Sequence, residues 1–409
     1  MKRSLTDEGS GSAIGNPKSV VAVLFFLLFL GVSDAQMLSP LLSQIAKEFD
    51  VTVGEAGKLL NGVYAFAAAI AALVIGSLSD RYGRRRFLVT AVAVFALSLL
   101  LTAFVTDLRL LVVLRSLTGF AAGIFSLCAI VCIGDYFPYE KRGAAMSAVQ
   151  AGYFMALVAG VPLGSWLADW KGWRASYVCL GLLAAPMIFL FRVLPNDGKR
   201  VVKDQSPGHK RIGFPLVSPA QYAAIGAAFF VSLGFAGFVQ YLGSWLTDPR
   251  GLALRTKDVG LFFIAFGVAA LCGSIGAFYF SDKTGKQRLS LICTLLIALL
   301  LLAIPQLSLG MVLYIAFATA SFIYALRQGP LQALALGLVS QEVRGSLISM
   351  RNVASQIGIV FTSVICGQLY DAYGYIAVGL FSAAATLIAI ICISLMREPE
   401  RVVFGEVNL

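Results

Sequence analysis

The stretch Gly76-Ser-Leu-Ser-Asp80-Arg-Tyr-Gly83-Arg84-Arg-Arg86 returns in altered form as Ser281-Asp282-Lys-Thr-Gly285-Lys286-Gln-Arg288. Asp80 precedes Asp282 by 202 residues, and Gly83, Arg84 and Arg86 precede Gly285, Lys286 and Arg288 by the same 202. Working outward, the register holds. Glu140 pairs with Glu342, Arg142-Gly143 with Arg344-Gly345, Asp169 with Asp371, and Gly172-Trp173 with Gly374-Tyr375. So many matches at one offset imply two copies of one structural unit.

Composition says what kind of unit. The chain has 409 residues, 59% hydrophobic and 13% charged, where a soluble domain carries about a quarter charged residues. Long apolar runs replace the alternating patterns of soluble folds: Val20–Leu30, Leu110–Leu114 continuing through Phe120–Ile133, and Leu289–Ile304. With their flanks they reach the ~20 residues a helix needs to cross ~30 Å of hydrocarbon. Forty glycines suit close helix approach in a bilayer. The pattern predicts an all-α membrane protein with helices near 18–41, 55–78, 87–105, 109–132, 143–166 and 173–195. A second set falls near 219–247, 256–280, 289–306, 310–338, 345–368 and 374–396. The polar stretch 196–218 separates a bundle over 1–195 from one over 219–409. Two six-helix repeats around a shared cavity are the architecture of alternating-access transporters.

A net charge of +11 raises nucleic acid as a partner. The basic residues gather at predicted helix ends, however, as topology requires, and no nucleic-acid partner is expected. Lys and Arg number 20 on the side of the linker and termini against 8 on the other. Both termini and the linker are therefore expected in the cytoplasm. The basic linker cluster Lys199–Arg211 is expected to lie on the anionic leaflet. The first apolar run lacks a small-residue cleavage site and reads as a helix rather than a signal peptide. The cysteines lie in apolar segments and read as buried small hydrophobes. The only histidine, His209, falls in the linker, so neither a metal site, a cofactor nor a histidine proton relay is expected.

Gly76–Arg86 resembles the signature loop of the major facilitator superfamily, G-x-L-x-D-R-x-G-R-R/K, at every position. Arg115-Ser-Leu-Thr-Gly119-Phe-Ala-Ala-Gly123 resembles the family's R-x-x-x-G-x-x-x-G element. Gly160–Arg174 resembles the antiporter-type segment of the drug:proton antiporter group, especially its sugar- and nucleoside-efflux-like members, with the G-P-x-x-G-G core present as Val161-Pro162-Leu163-Gly164-Ser165. The resemblance implies twelve transmembrane helices in two pseudo-symmetric bundles. It also implies a conformational latch from Gly76, Asp80, Arg81, Gly83, Arg84, Asp135, Asp282 and Lys286. In that latch Arg84 pairs with Asp135, while Asp80 faces the N-terminus of a helix beginning near Arg344-Gly345, where the helix dipole favours an acid. The alternative is that these arginines only set topology.

Charges inside a membrane cost several kcal/mol unless paired or hydrated, which makes each a functional candidate. Of 21 acidic residues, only Asp34 sits well inside a predicted helix. It and Arg115 lie at similar depths, roughly 10–15 Å from the outer ends of helices 1 and 4 at the usual helical rise. If both helices line the cavity, as in the family, the two meet. Burial favours the protonated aspartate and a neighbouring arginine favours the ionised one, so the pair can couple proton flow to transport; a static ion pair is the alternative. Arg327 and Arg351 have no acidic partner in their own half, and their repeat equivalents are Phe125 and Val149. Arginine suits carboxylate and phosphate recognition, which makes Arg327 a candidate contact for an anionic substrate. Arg351 is a weaker candidate because it can snorkel to the cytoplasmic interface. Tyr64, Gln150, Tyr153, Gln240, Tyr241, Gln328 and Gln356, with Asn61, Tyr324 and Gln332, are further pocket candidates or interhelical hydrogen-bonding groups. Trp166, Trp173 and Trp245 fit an interfacial belt.

These features predict a secondary transporter for a small organic molecule, proton-coupled and exporting, in a bacterial inner membrane. A uniporter or symporter of an anionic metabolite or amphiphile is the alternative. No nucleotide loop or nucleophile–base arrangement supports an enzyme. One chain already contains both halves of a cavity, so a monomer suffices.

Overall fold

The computed structural model describes residues 17–190 and 218–396, apart from 83, 138, 250 and 340–343. Side chains 17, 75–84, 127–131, 134–136, 139–144, 190, 278, 282, 344 and 345 also lie outside the described set. The first half contains α1 (Pro17–Glu48), α2 (Val53–Tyr82), α3 (Arg84–Leu101) and α4 (Leu108–Tyr136). Next, α5 (Tyr139–Met155) runs through a π-helical turn, Ala156–Gly160, into α6 (Val161–Lys171), followed by α7 (Trp173–Ala184) and the short α8 (Met187–Leu190). The second half contains α9 (Pro219–Thr247), α10 (Thr256–Thr284), α11 (Lys286–Ala303), α12 (Met311–Gly337), α13 (Arg344–Tyr373) and α14 (Tyr375–Ser394). Among the described residues, eleven helices are long and apolar enough to cross a membrane. The shorter apolar stretch Trp173–Phe189 stands where the sixth span is expected.

The helices begin and end where the sequence supplies the means. Asp107 caps α4 by accepting from the Arg109 N–H at 3.1 Å. Ser218 and Gln221 form a capping box at the start of α9, satisfying amides that have no partner within the helix. Gly172 and Gly374, related by the repeat, each form a one-residue break at φ +83° and +76°. That region of backbone space belongs essentially to glycine, so the α6–α7 and α13–α14 reversals use the same device.

Large apolar side chains cover the outside, among them Phe66, Leu73, Leu97, Phe104, Ile275, Leu299 and Ile391. Small polar groups such as Ser165, Ser290, Thr294 and Thr386 are buried between the helices, beside large apolar ones such as Leu24, Phe95 and Phe262. This is the distribution expected when lipid replaces water as solvent and association rests on close packing and interhelical hydrogen bonds.

The two halves are joined at one end, here called distal, which carries the α1–α2, α9–α10 and α13–α14 turns. Ser39 donates to the Val239 carbonyl at 2.7 Å and accepts from the Gly243 N–H at 3.0 Å. Thr247 donates to Ser43 at 3.1 Å and Gln44 to Thr256 at 2.9 Å. Nearer the surface, Asp371 accepts from the Gly54 N–H at 2.8 Å and from the Thr52 hydroxyl at 2.5 Å. The turns at this end are short: residues 49–52, 105–107, 248–255 and 307–310, and the single glycines 172 and 374.

Close approach at this seam needs glycine. A Cβ on Gly243 would lie 2.5 Å from the Ser39–Pro40 backbone, whereas one on Gly310 would meet nothing. Gly243→Val should therefore cost about 1–3 kcal/mol, the usual range for overpacking. Melting of the detergent-solubilised protein should show a lowered Tm for Gly243→Val and an unchanged one for Gly310→Ala.

Candidate functional site

Along α1, Leu27, Leu30, Asp34, Leu38 and Leu41 recur at helical spacing and are all buried, so Asp34 points into the bundle. On α4, Arg115 is followed one and two turns later by Gly119 and Gly123. A Cβ on Gly119 would lie 2.3 Å from the Tyr64 carbonyl oxygen, and one on Gly123 2.7 Å from that of Ala68. The two glycines let α4 lie flush against α2, and that closeness slides the Tyr64 ring beneath the Arg115 guanidinium at 4.5 Å.

The structure brings Asp34 and Arg115 together. Arg115 Nη1 donates to Asp34 Oδ1 at 2.6 Å, with both side chains essentially inaccessible. Tyr177 of α7 closes the other side, its ring 5.8 Å from the guanidinium. Tyr64 is tethered by its hydroxyl to the Gly31 carbonyl at 3.3 Å. Among the described residues, Asp34 Oδ2, Arg115 Nε and Nη2, Tyr177 Oη and Ser33 Oγ have no hydrogen-bond partner. The π-helical turn packs on this cluster, since a Cβ on Gly160 would lie 2.0 Å from Ser33 Oγ. Its opposite side meets the second half, where Gly267 of α10 approaches Leu157 and Val158. Such π turns occur often at functional sites.

Desolvating two charges in so dry a place costs as much as, or more than, their attraction returns. The pair is thus poor evidence for stability and better evidence for a role. One carboxylate oxygen is bound by Arg115, and two aromatic faces flank the cation.

Arg327 is wholly buried on α12. Its guanidinium is directed at α11, 3.4 Å from the Thr294 hydroxyl and over the Tyr324 ring at 5.4 Å, and its Nε and Nη2 atoms have no hydrogen-bond partner among the described residues. It thus lies inside the second bundle. Arg351 is half-buried on α13, with no hydrogen-bond partner for its Nε among the described residues. Gln240 accepts from Ser363 at 3.0 Å. Tyr241 is fully buried, donates to the Ser363 carbonyl at 2.9 Å and stacks on Tyr370, so it packs in the distal seam. Tyr153 and Gln356 are half-buried, and Gln150 and Gln328 are exposed. Of the latch, Gly76, Asp80, Arg81, Gly83, Arg84, Asp135 and Asp282 lie outside the described side chains, as does His209 in its linker; Lys286 is exposed at the start of α11.

Three expectations need correction. Trp173 is 3% exposed because its Nε1 donates to Glu48 at 2.6 Å and draws the indole inward. Trp245 is 8% exposed because it stacks on Tyr375 at 4.7 Å. Neither belongs to an interfacial belt. Trp166 and its neighbour Trp170 are exposed and do fit one. Among the cysteines, Cys272 is exposed rather than buried, on the helix surface of α10.

Sequence reasoning missed Tyr177, Thr52 and the part played by Asp371. The last carried a signal, since it stands in the 202-residue repeat beside Gly374.

The chain belongs to the major facilitator superfamily, whose family model matches residues 24–361 and 258–406. It is 29% identical over 389 residues to the uncharacterized MFS-type transporter YwfA of Bacillus subtilis (strain 168), covering 92% of this chain and 91% of that protein. It is 27% identical over 370 residues to a chloramphenicol resistance protein of Streptomyces lividans, covering 88% and 92%. Its fold matches a bacterial homologue of the human lysosomal transporter Spinster, in an inward-facing and occupied conformation. That match has a TM-score of 0.75 and 16% identity, covering 93% of this chain and 96% of the other. The protein is a multi-pass membrane transporter of small molecules, not an enzyme.

Removing one member of a buried ion pair strands the other. Arg115→Met should therefore cost about 3–5 kcal/mol, and the double variant Asp34→Asn/Arg115→Met should recover much of it. A double-mutant cycle on thermal or denaturant unfolding in detergent checks this.

Proposed function

We propose that the protein is a proton-coupled exporter of small organic molecules, in which Asp34 carries the proton and Arg115 is its counter-charge. The observation that carries this reading is the buried pair at 2.6 Å with the second carboxylate oxygen unpartnered. Ionised Asp34 holds Arg115; protonated on Oδ2, it releases that attraction while Tyr64 and Tyr177 keep the guanidinium in place. The π-helical turn beside Ser33 links this change to α10 of the other half. The chloramphenicol resistance relative supports export of an organic compound. In this reading the protein works as a monomer in a bacterial inner membrane, with both termini in the cytoplasm and bundles over 1–195 and 219–409.

The decisive measurement is substrate-driven proton movement in liposomes containing wild-type or Asp34→Asn protein, across a panel of drugs, sugars, nucleosides and organic anions. A compound that moves protons in wild type and not in the variant supports the proposal. Equal transport by both, without a pH gradient, overturns it.

A second reading, a uniporter or symporter of an anionic metabolite or amphiphile, is favoured by one observation. Arg327 is a fully buried cation that contacts the Thr294 hydroxyl and the Tyr324 ring, and two of its nitrogens have no hydrogen-bond partner among the described residues. Such a charge is costly to leave unpaired. On this reading, flux of an anionic compound survives Asp34→Asn and is lost in Arg327→Met, a result that radiolabelled uptake in the same liposomes distinguishes.

A further inference from the structure

We propose that Asp371 is the gate residue of the distal end, holding the seam shut by capping the N-terminus of α2 from the opposite half. A helix leaves its first amides without internal partners and carries partial positive charge there. At the start of α2, Thr52 accepts from the Glu55 N–H at 3.1 Å. The Thr52 hydroxyl then donates to Asp371 Oδ2 at 2.5 Å, and the Gly54 N–H donates to Asp371 Oδ1 at 2.8 Å. Both oxygens of one carboxylate in the last turn of α13 are thus engaged at the first turn of α2, 317 and 319 residues away in sequence.

The contact is built for closeness. A Cβ on Gly54 would lie 2.1 Å from the Gly367 carbonyl and 2.3 Å from Asp371 Oδ2, and one on Gly367 2.6 Å from the Gly54 carbonyl. Two glycines face each other so that the carboxylate can reach the helix end. The Tyr241 hydroxyl sits over the same spot, 3.5 Å from the Gly54 carbonyl.

The clasp is one-sided. The repeat mate of Asp371 is Asp169, at the distal end of α6, and it is exposed. The helix packed against α6 is α10, whose N-cap is Arg255, with no side-chain cap. The pseudo-symmetric seam therefore lacks the bond, and the α2–α13 seam alone carries it among the described residues. Every one of these groups must part when the distal end opens, because Asp371 and Thr52 belong to different halves. The clasp thus weights the equilibrium toward the distally closed state.

The test uses full-length protein in nanodiscs, native cysteines replaced, with a single reporter and a membrane-impermeant maleimide. Ser39→Cys reports the distal seam, where Ser39 is 2% exposed. Gln150→Cys reports the other side, where Gln150 is exposed. In Asp371→Ala, Ser39→Cys should label about fivefold faster, the shift expected when a helix cap is lost, while Gln150→Cys labels more slowly. Thr52→Val, which keeps the carboxylate and removes one bond, should give the same pattern at smaller size and serves if Asp371→Ala does not fold. An unchanged Ser39→Cys rate, or a rise there without the matching fall at Gln150→Cys, overturns the proposal. The readout needs neither substrate nor protons, so it stands apart from the fate of Asp34.

Discussion

Hydrocarbon offers a peptide group no hydrogen-bond partner, and each group left unpaired there costs several kcal/mol. The helical architecture follows from that constraint. It forces the chain into continuous helices, confines irregular backbone to the ends, and turns every internal polar group into a question of who satisfies it. The apolar exterior and the hydroxyl groups buried among apolar side chains inside are two sides of the same solution. With no water to squeeze out between helices, contact must come from backbones lying close, and so glycines sit at the crossings of α2 with α4, α1 with α9, and α2 with α13.

Within that frame the exceptions carry the meaning. Asp34 and Arg115 are charged where charge is expensive, and they share one strong hydrogen bond while keeping spare donors and an acceptor. The aromatic rings of Tyr64 and Tyr177 flank the cation on two sides. The π-helical turn lies between this cluster and α10, and so places a distortion of the helix ladder between the ion pair and the second half.

Much of this was legible in the sequence, and the reasons differ by element. The spans followed from apolar run lengths, and the doubling from one repeat offset. The meeting of Asp34 with Arg115 followed from matching depths plus the family's helix arrangement. Direction was less legible. Position near a helix end does not say which way an indole points, so Trp173 and Trp245 were assigned to the surface, whereas Glu48 and Tyr375 draw them inward. Depth likewise did not reveal that Arg327 turns toward α11. The seam between Thr52, Gly54 and Asp371 depends on how two bundles dock, which no local pattern encodes.

The short distal turns have a consequence of their own. Two of the six connections are single glycines, and the longest runs only from 248 to 255. That face is nearly flush with the helix ends, offering little extended backbone for a protease to grip and few projecting loops for an antibody to clasp. Reagents raised against this face must recognise a shallow relief built from several helix ends at once, and will therefore read conformation rather than sequence.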